Sequence, residues 1–181
     1  MRKSVSTIIT AVALTIGSTV AVATPASATS SEPGPMVMAA GTQICYKAHV
    51  QNEGWEEPLA CDGQEAGSTG QVRNMEALAI QSKGVGKLCA WAHVQDQGWD
   101  AQPSCTDYDG QMVVVGTVGK NRAIEAIYIE VGGGHVAAKA HLRNYGWTNW
   151  TPYNSSVSIG TVGQNRPMEA IKLAVQARIW A

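Results

Sequence analysis

Three histidines and three glutamates recur in this sequence in a fixed order: His49, His93 and His141, each followed by one of Glu76, Glu125 and Glu169. Imidazole–carboxylate pairs can relay protons, and three histidines gathered on one axis can hold a metal ion. Threefold repetition argues for another use. Catalysis needs one asymmetric constellation, whereas packing needs the same contact in every copy, because buried polar groups require partners. The six residues are therefore expected to be structural, and the chain is expected to have no catalytic residue, cofactor or metal site. No Ser/His/Asp arrangement, zinc-helix motif or phosphate loop accompanies them. Gly132-Gly133-Gly134 lacks the strand-and-helix context of a phosphate loop and reads as a linker.

The elements that position these residues are copies of one unit. ICYKAHVQNEGW (44–55), LCAWAHVQDQGW (88–99) and VAAKAHLRNYGW (136–147) align on Gly-Trp. A second block follows each: GSTGQVRNMEALAI (67–80), GTVGKNRAIEAIYI (116–129) and GTVGQNRPMEAIKL (160–173). Trp55, Trp99 and Trp147 lie 44 and 48 residues apart, a period that signals repeat architecture. The cysteines keep the same register. Cys45 and Cys61 flank Trp55 as Cys89 and Cys105 flank Trp99, and the third copy holds Ala137 and Tyr153 at the same two places. Both members vanish together, so the pairing is expected to be Cys45–Cys61 and Cys89–Cys105. Each closes a loop of about 15 residues, worth ~3 kcal/mol in the chain-entropy account.

Alternation in each first block places Ile44, Tyr46, Ala48 and Val50 on one strand face, and Cys45, Lys47 and His49 on the other. Leu88, Ala90, Ala92 and Val94, and then Val136, Ala138, Ala140 and Leu142, repeat the inner face. Gly-Trp is expected to end this strand at a turn. A further strand runs through the later Cys position, and the last covers 75–81, 124–130 and 168–175. That last strand is apolar on both faces apart from its Glu, so it should be central in its sheet. With three or four strands per copy and no helix, the fold class is all-β. Three such units pack around a pseudothreefold axis, with Ala77, Ala126 and Ala170 allowing close approach there. A β-prism with one sheet per copy is preferred to a β-trefoil, because each Cys pair sits within its own copy.

The composition sets outer limits. The chain has 181 residues, 13 Lys+Arg against 14 Asp+Glu, 45% hydrophobic residues and no Phe. Such balance excludes a disordered charged chain and offers nothing to the phosphates of nucleic acid. Arg2 and Lys3, an apolar stretch over 7–22 and Ala26-Ser27-Ala28 read as a secretory signal cut after Ala28. No later segment approaches the ~20 apolar residues of a membrane span. The expected organisation is a signal peptide (1–28), an extended N-terminal tail (29–42) and one domain (43–181) of three repeats, about 43–85, 86–132 and 133–181. The expected location is outside the cell, where paired cysteines persist.

The run His-Val-Gln-x-x-Gly-Trp, then Gly-Thr-x-Gly, then Arg-x-x-Glu-Ala-Ile, resembles the clostridial hydrophobic repeat with a central Trp, the ChW family. The likeness covers Ile44 to about Val175; copy 1 departs from it in Gly67-Ser68-Thr69-Gly70 and Val72-Arg73-Asn74-Met75. The resemblance implies secretion and a non-catalytic surface or binding role. In size, export signal and apolar tail the chain is also similar to the small adaptor subunits of umbrella-type secreted toxin particles.

Partners should be met by side chains that the repeat does not require. Trp91, Tyr145, Trp150 and Trp180 are irregular aromatics, and Met36, Val37 and Met38 form an apolar strip in the tail that suits adaptable docking. Trp55, Trp99 and Trp147 are expected to cap hydrophobic layers. The expected function is that of a secreted, non-enzymatic adaptor joining other exported proteins in an extracellular assembly such as a toxin particle. The alternative is a lectin-like module that binds cell-wall or other polysaccharide through exposed aromatics.

Overall fold

The computed structural model describes residues 41–177. The signal segment, Met36, Val37, Met38 and Trp180 lie outside the described residues, which form fourteen strands and no helix. The first repeat holds β1 (Gln43–Val50), β2 (Gly54–Trp55), β3 (Ala60–Cys61), β4 (Ala66–Gly67) and β5 (Met75–Lys83). The second holds β6 (Leu88–Val94), β7 (Gly98–Trp99), β8 (Ser104–Cys105), β9 (Met112–Gly116) and β10 (Ile124–Val131). The third holds β11 (Gly134–Leu142), β12 (Gly146–Trp147), β13 (Ser156–Gly160) and β14 (Met168–Ala177).

The apolar alternation has its expected consequence. Leu88, Ala90, Ala92 and Val94 are buried while the residues between them are half-exposed. The inner faces of β1, β6 and β11 and those of β5, β10 and β14 converge on one core shared by all three repeats. Each repeat then folds its Gly-Trp back on its first strand. A tight turn joins the Val50 carbonyl to the Glu53 amide, with equivalents at Val94/Gln97 and Leu142/Tyr145, each 3.0 Å. Its left-handed residue is Asn52, Asp96 or Asn144, types that tolerate φ of 65°, 61° and 61°. Gly-Trp is thus a short strand in register with the first one and does not merely end it.

Both disulfides form as the repeat register required. Cys45 faces Cys61 across β1 and β3, and Cys89 faces Cys105 across β6 and β8. In the third repeat a backbone bridge from Val136 to Asn154 holds the same two segments, and the Ala138 amide donates to Thr151 Oγ1 at 2.9 Å beside it.

The arrangement of one sheet per copy needs correction. There are three antiparallel sheets, as faces of a prism, but each takes an edge strand from another repeat. β9 of the second repeat joins the first sheet beside β5, β13 of the third joins the second sheet beside β10, and β4 of the first joins the third sheet beside β14. The exchange is cyclic, so no repeat can complete its sheet alone.

The junction that permits the exchange is a β-bulge. Pairing in β5 jumps from Ala77 to Met75, leaving Glu76 as the extra residue; β10 and β14 do the same at Glu125 and Glu169. The bulge carbonyls accept the amides of Thr117 (2.8 Å), Thr161 (2.9 Å) and Ser68 (2.9 Å), each just after an incoming strand. That strand ends in a glycine because there is no room for a side chain. A Cβ on Gly67, Gly116 or Gly160 would stand 2.3, 2.5 or 2.3 Å from the carbonyl oxygen of Glu169, Glu76 or Glu125. Opposite these glycines lie Ala170, Ala77 and Ala126, so the alanines do serve close approach, but at the exchanged edges.

The exchanged strands are not equal. β9 and β13 have five residues each, β4 only two. β9 reaches Ile80 and β13 reaches Ile129, but β4 stops short of Leu173. The Tyr46 hydroxyl fills the gap, accepting the Leu173 amide at 2.8 Å and donating to the Gln64 carbonyl. Burial pushes its phenol well above the usual range, so it stays protonated.

Two substitutions separate backbone strain from crowding. Gly98 and Gly160 both have positive φ (83° and 106°), but a Cβ on Gly98 meets nothing within 4 Å. Gly98→Ala should cost about 1–2 kcal/mol. Gly160→Ala should cost ~1–3 kcal/mol more, because it pushes β13 off the Glu125 carbonyl. Urea unfolding measures both, and equal losses would contradict the account of the junction.

Candidate functional site

The repeated polar residues form the same cluster three times. His49 Nδ1 lies 3.1 Å from Glu76 Oε2, His93 Nδ1 3.1 Å from Glu125 Oε2, and His141 Nδ1 3.2 Å from Glu169 Oε2. These are ion-pair distances when the imidazole is protonated, but Nδ1 is not aligned as a hydrogen-bond donor in any of the three. Each imidazole stands edge-on to its repeat's Trp, with centroids 5.3, 5.5 and 5.4 Å apart for Trp55, Trp99 and Trp147. Arg143 Nε adds a 3.0 Å bond to Glu169 Oε1, and the same guanidinium reaches Asn74 Oδ1 of the first repeat. The three histidines sit one on each sheet and are not gathered on an axis. Among the described residues no group of three or more His, Cys, Asp or Glu is placed to hold a metal ion.

The tryptophans need a correction. Trp55 is the register partner of His49, as Trp99 is of His93 and Trp147 of His141. They therefore lie on the outer face with the imidazoles. They do not cap the apolar layers, and Trp99 is 41% exposed.

What surrounds each Trp differs between repeats. In the first repeat Lys47 is buried, and its ammonium meets Glu57 Oε1 at 2.6 Å. In the third repeat Lys139 and Lys172 hold their ammonium groups 5.5 and 4.7 Å from the Trp147 ring centroid. In the second repeat Trp91 takes the place of Lys47 and Lys139, and Tyr128 the place of Ala79 and Lys172. Trp91 and Tyr128 are register partners on β6 and β10 and meet edge-on at 5.2 Å. With Trp99 and Asp100 they line an open groove of about 330 Å³. Asp100 Oδ2 accepts the Ala92 amide at 2.9 Å, which holds the carboxylate at the groove edge.

The other irregular aromatics go elsewhere. Trp150 and Tyr153 line a hollow of about 200 Å³ with Ala137, Thr151 and Ala174, over the place where the other repeats carry a disulfide. Tyr145 is exposed, with Arg166 over its ring at 5.2 Å. Thus Trp91 is brought together with Trp99, while Trp150 and Tyr145 stand apart from both. Tyr128 escaped sequence reasoning because it lies in a strand read as uniformly apolar. Comparison with Ala79 and Lys172 at the same place in the other repeats was the signal that could have found it.

The chain belongs to the clostridial hydrophobic W (ChW) family, matching it in three copies over residues 49–84, 93–133 and 141–177. No curated protein and no solved structure matches the chain. Each matched unit opens at the histidine and runs through the Trp, the exchanged strand and the bulge glutamate. Repeats of this family and two disulfides are consistent with an extracellular binding protein. Among the described residues no helix is long and apolar enough to cross a membrane.

In the first repeat, Glu56 stands where Asp100 stands in the second, and burial raises its carboxyl pKa despite a 2.6 Å bond from the Gly67 amide. A raised folded-state pKa means that the group's contribution to stability is complete below about pH 4.5, the ordinary value, and is lost as pH rises through the folded value. Glu56→Gln keeps an acceptor for Gly67 and removes that loss. The melting temperature of the variant relative to the parent should therefore climb between pH 4 and pH 7. A difference that stays flat or falls would contradict this reading of Glu56.

Proposed function

We propose that the protein is a secreted, non-enzymatic adaptor that joins other exported proteins in an extracellular assembly. One observation supports this above others: the His–Glu–Trp cluster recurs in all three sheets, while the side chains beside it differ, and those of the second repeat line an open groove with Trp91, Trp99 and Tyr128. Catalysis would draw on the His–Glu pairs, and these recur at the same spacing in each sheet, with an Arg143 bond added at Glu169. Binding would draw on the exterior, where Trp91, Trp99 and Tyr128 supply rigid contact area of the kind that dominates protein interfaces. The apolar strip at 36–38 would supply a second attachment, as a joining part requires. An antibacterial toxin particle is one assembly with a small subunit of this size and kind.

The same groove supports a second reading. Aromatic rings beside a carboxylate can stack on and hydrogen-bond a sugar, as a lectin-like module on cell-wall glycan would. Affinity capture from the producing culture's medium tests the two. With the adaptor, the intact chain should recover another exported protein in fixed stoichiometry, and deletion of 29–42 should reduce that recovery at least tenfold. A chain that elutes alone as a monomer but sediments with peptidoglycan would overturn the adaptor in favour of the lectin.

A further inference from the structure

We propose that the groove of the second repeat is a receptor for the ammonium group of a lysine side chain on a partner protein. The inference deepens the adaptor reading by giving its partner a chemistry. The molecule itself supplies the precedent. At the equivalent outer-face positions the first repeat places Lys47 and the third Lys139 and Lys172. The third repeat's lysines both lie over the face-bearing ring of Trp147, within the range of cation–π attraction. The first repeat's lysine is neutralised by the Glu57 carboxylate.

The second repeat has neither lysine but has the receptor's tryptophan. Trp91 and Tyr128 replace them as walls, Trp99 remains, and a carboxylate, Asp100, stands where the third repeat has the neutral Thr148. Three aromatic side chains and one carboxylate around an open volume match an ammonium at the end of an alkyl stem. The stem lies along the rings while the charge meets the quadrupoles and Asp100. A neutral sugar would use the rings and could donate a hydroxyl to Asp100, but it carries no charge to complement that carboxylate.

The other two repeats also supply the test variants. Trp91→Lys installs the residue that Lys47 and Lys139 place there naturally, and so fills the groove from within. Asp100→Thr removes the charge but can keep the backbone cap, because Thr148 Oγ1 already accepts the Ala140 amide at 3.1 Å. The full chain is titrated with Nα-acetyl-lysine methylamide, its Nε-acetylated form and chitotriose, following the tryptophan indole N–H resonances. Saturable shifts confined to Trp91 and Trp99 are expected with the free amine. Binding should be at least tenfold weaker with the acetylated form, at least fivefold weaker in Asp100→Thr, and absent in Trp91→Lys.

Equal binding of the amine and its acetylated form, shifts from chitotriose alone, or no saturable shift from the amine would each overturn the proposal. The adaptor reading falls separately. If the amine fails to bind while the chain still recovers its exported partner, the receptor is wrong and the adaptor stands. If the amine binds while no partner is recovered, the reverse holds.

Discussion

Every sheet in this protein depends on the contact between a bulge glutamate's carbonyl and the amide that follows an incoming glycine. The contact is made by Glu76 with Thr117, Glu125 with Thr161, and Glu169 with Ser68. It joins a repeat's long second strand to an edge strand from another repeat, and the three contacts close a ring. A strand edge left open is a row of unpaired backbone groups, and an isolated two-stranded hairpin has little stability by itself. Closing the ring pairs part of that edge in all three sheets at once. The bulge serves both partners of the junction: it turns the carbonyl toward the newcomer and sets the carboxylate against the imidazole that braces the Trp.

This scheme separates what must repeat from what is free to vary. The inner faces, the junction glycines, the bulge glutamates and the edge-on His–Trp pairs recur: the first build the shared core, the next two close the ring, and the last fix each Gly-Trp hairpin to its first strand. The side chains two residues before each His and three after each Glu do not recur. They are a buried lysine beside an alanine in the first repeat, Trp91 and Tyr128 in the second, and two lysines over a tryptophan in the third. One scaffold thus displays three chemically different faces. The disulfides vary in the same way. Where Ala137 and Tyr153 replace the cysteines, backbone bonds between Val136 and Asn154 hold the segments, and Trp150 and Tyr153 wall an open hollow there.

Much of the interior could be read from the residues. Alternation placed Leu88, Ala90, Ala92 and Val94 on the buried face, and the shared register of the cysteines identified both disulfides. The exchange of strands could not be read this way. Side-chain period tells which face of a strand is buried but not which neighbour completes its ladder, and Ala66-Gly67 is too short to show a period at all. One clue was present: the large apolar residues fall at Met75, Leu78 and Ile80 with alanines at 77 and 79, and all three join the shared core, although an uninterrupted strand puts residues three apart on opposite faces. Only an extra residue between Met75 and Leu78, Glu76, reconciles that. The tryptophans were placed against the core because size argues for burial; pairing with the histidines put them outside. Tyr46 was read correctly as inward, but its task of completing β4's ladder depends on a distant strand and leaves no local trace.

Native-state hydrogen exchange of three amides, Ser68, Thr117 and Thr161, tests the closed ring most directly. If the exchange is one cooperative closure, opening any junction opens the others. The three amides should then converge on one opening free energy, equal to that of global unfolding, as denaturant is raised. Exchange of Ser68 through a local opening that leaves Thr117 and Thr161 protected would show instead that β4 is a detachable strap and that the other two sheets stand without it.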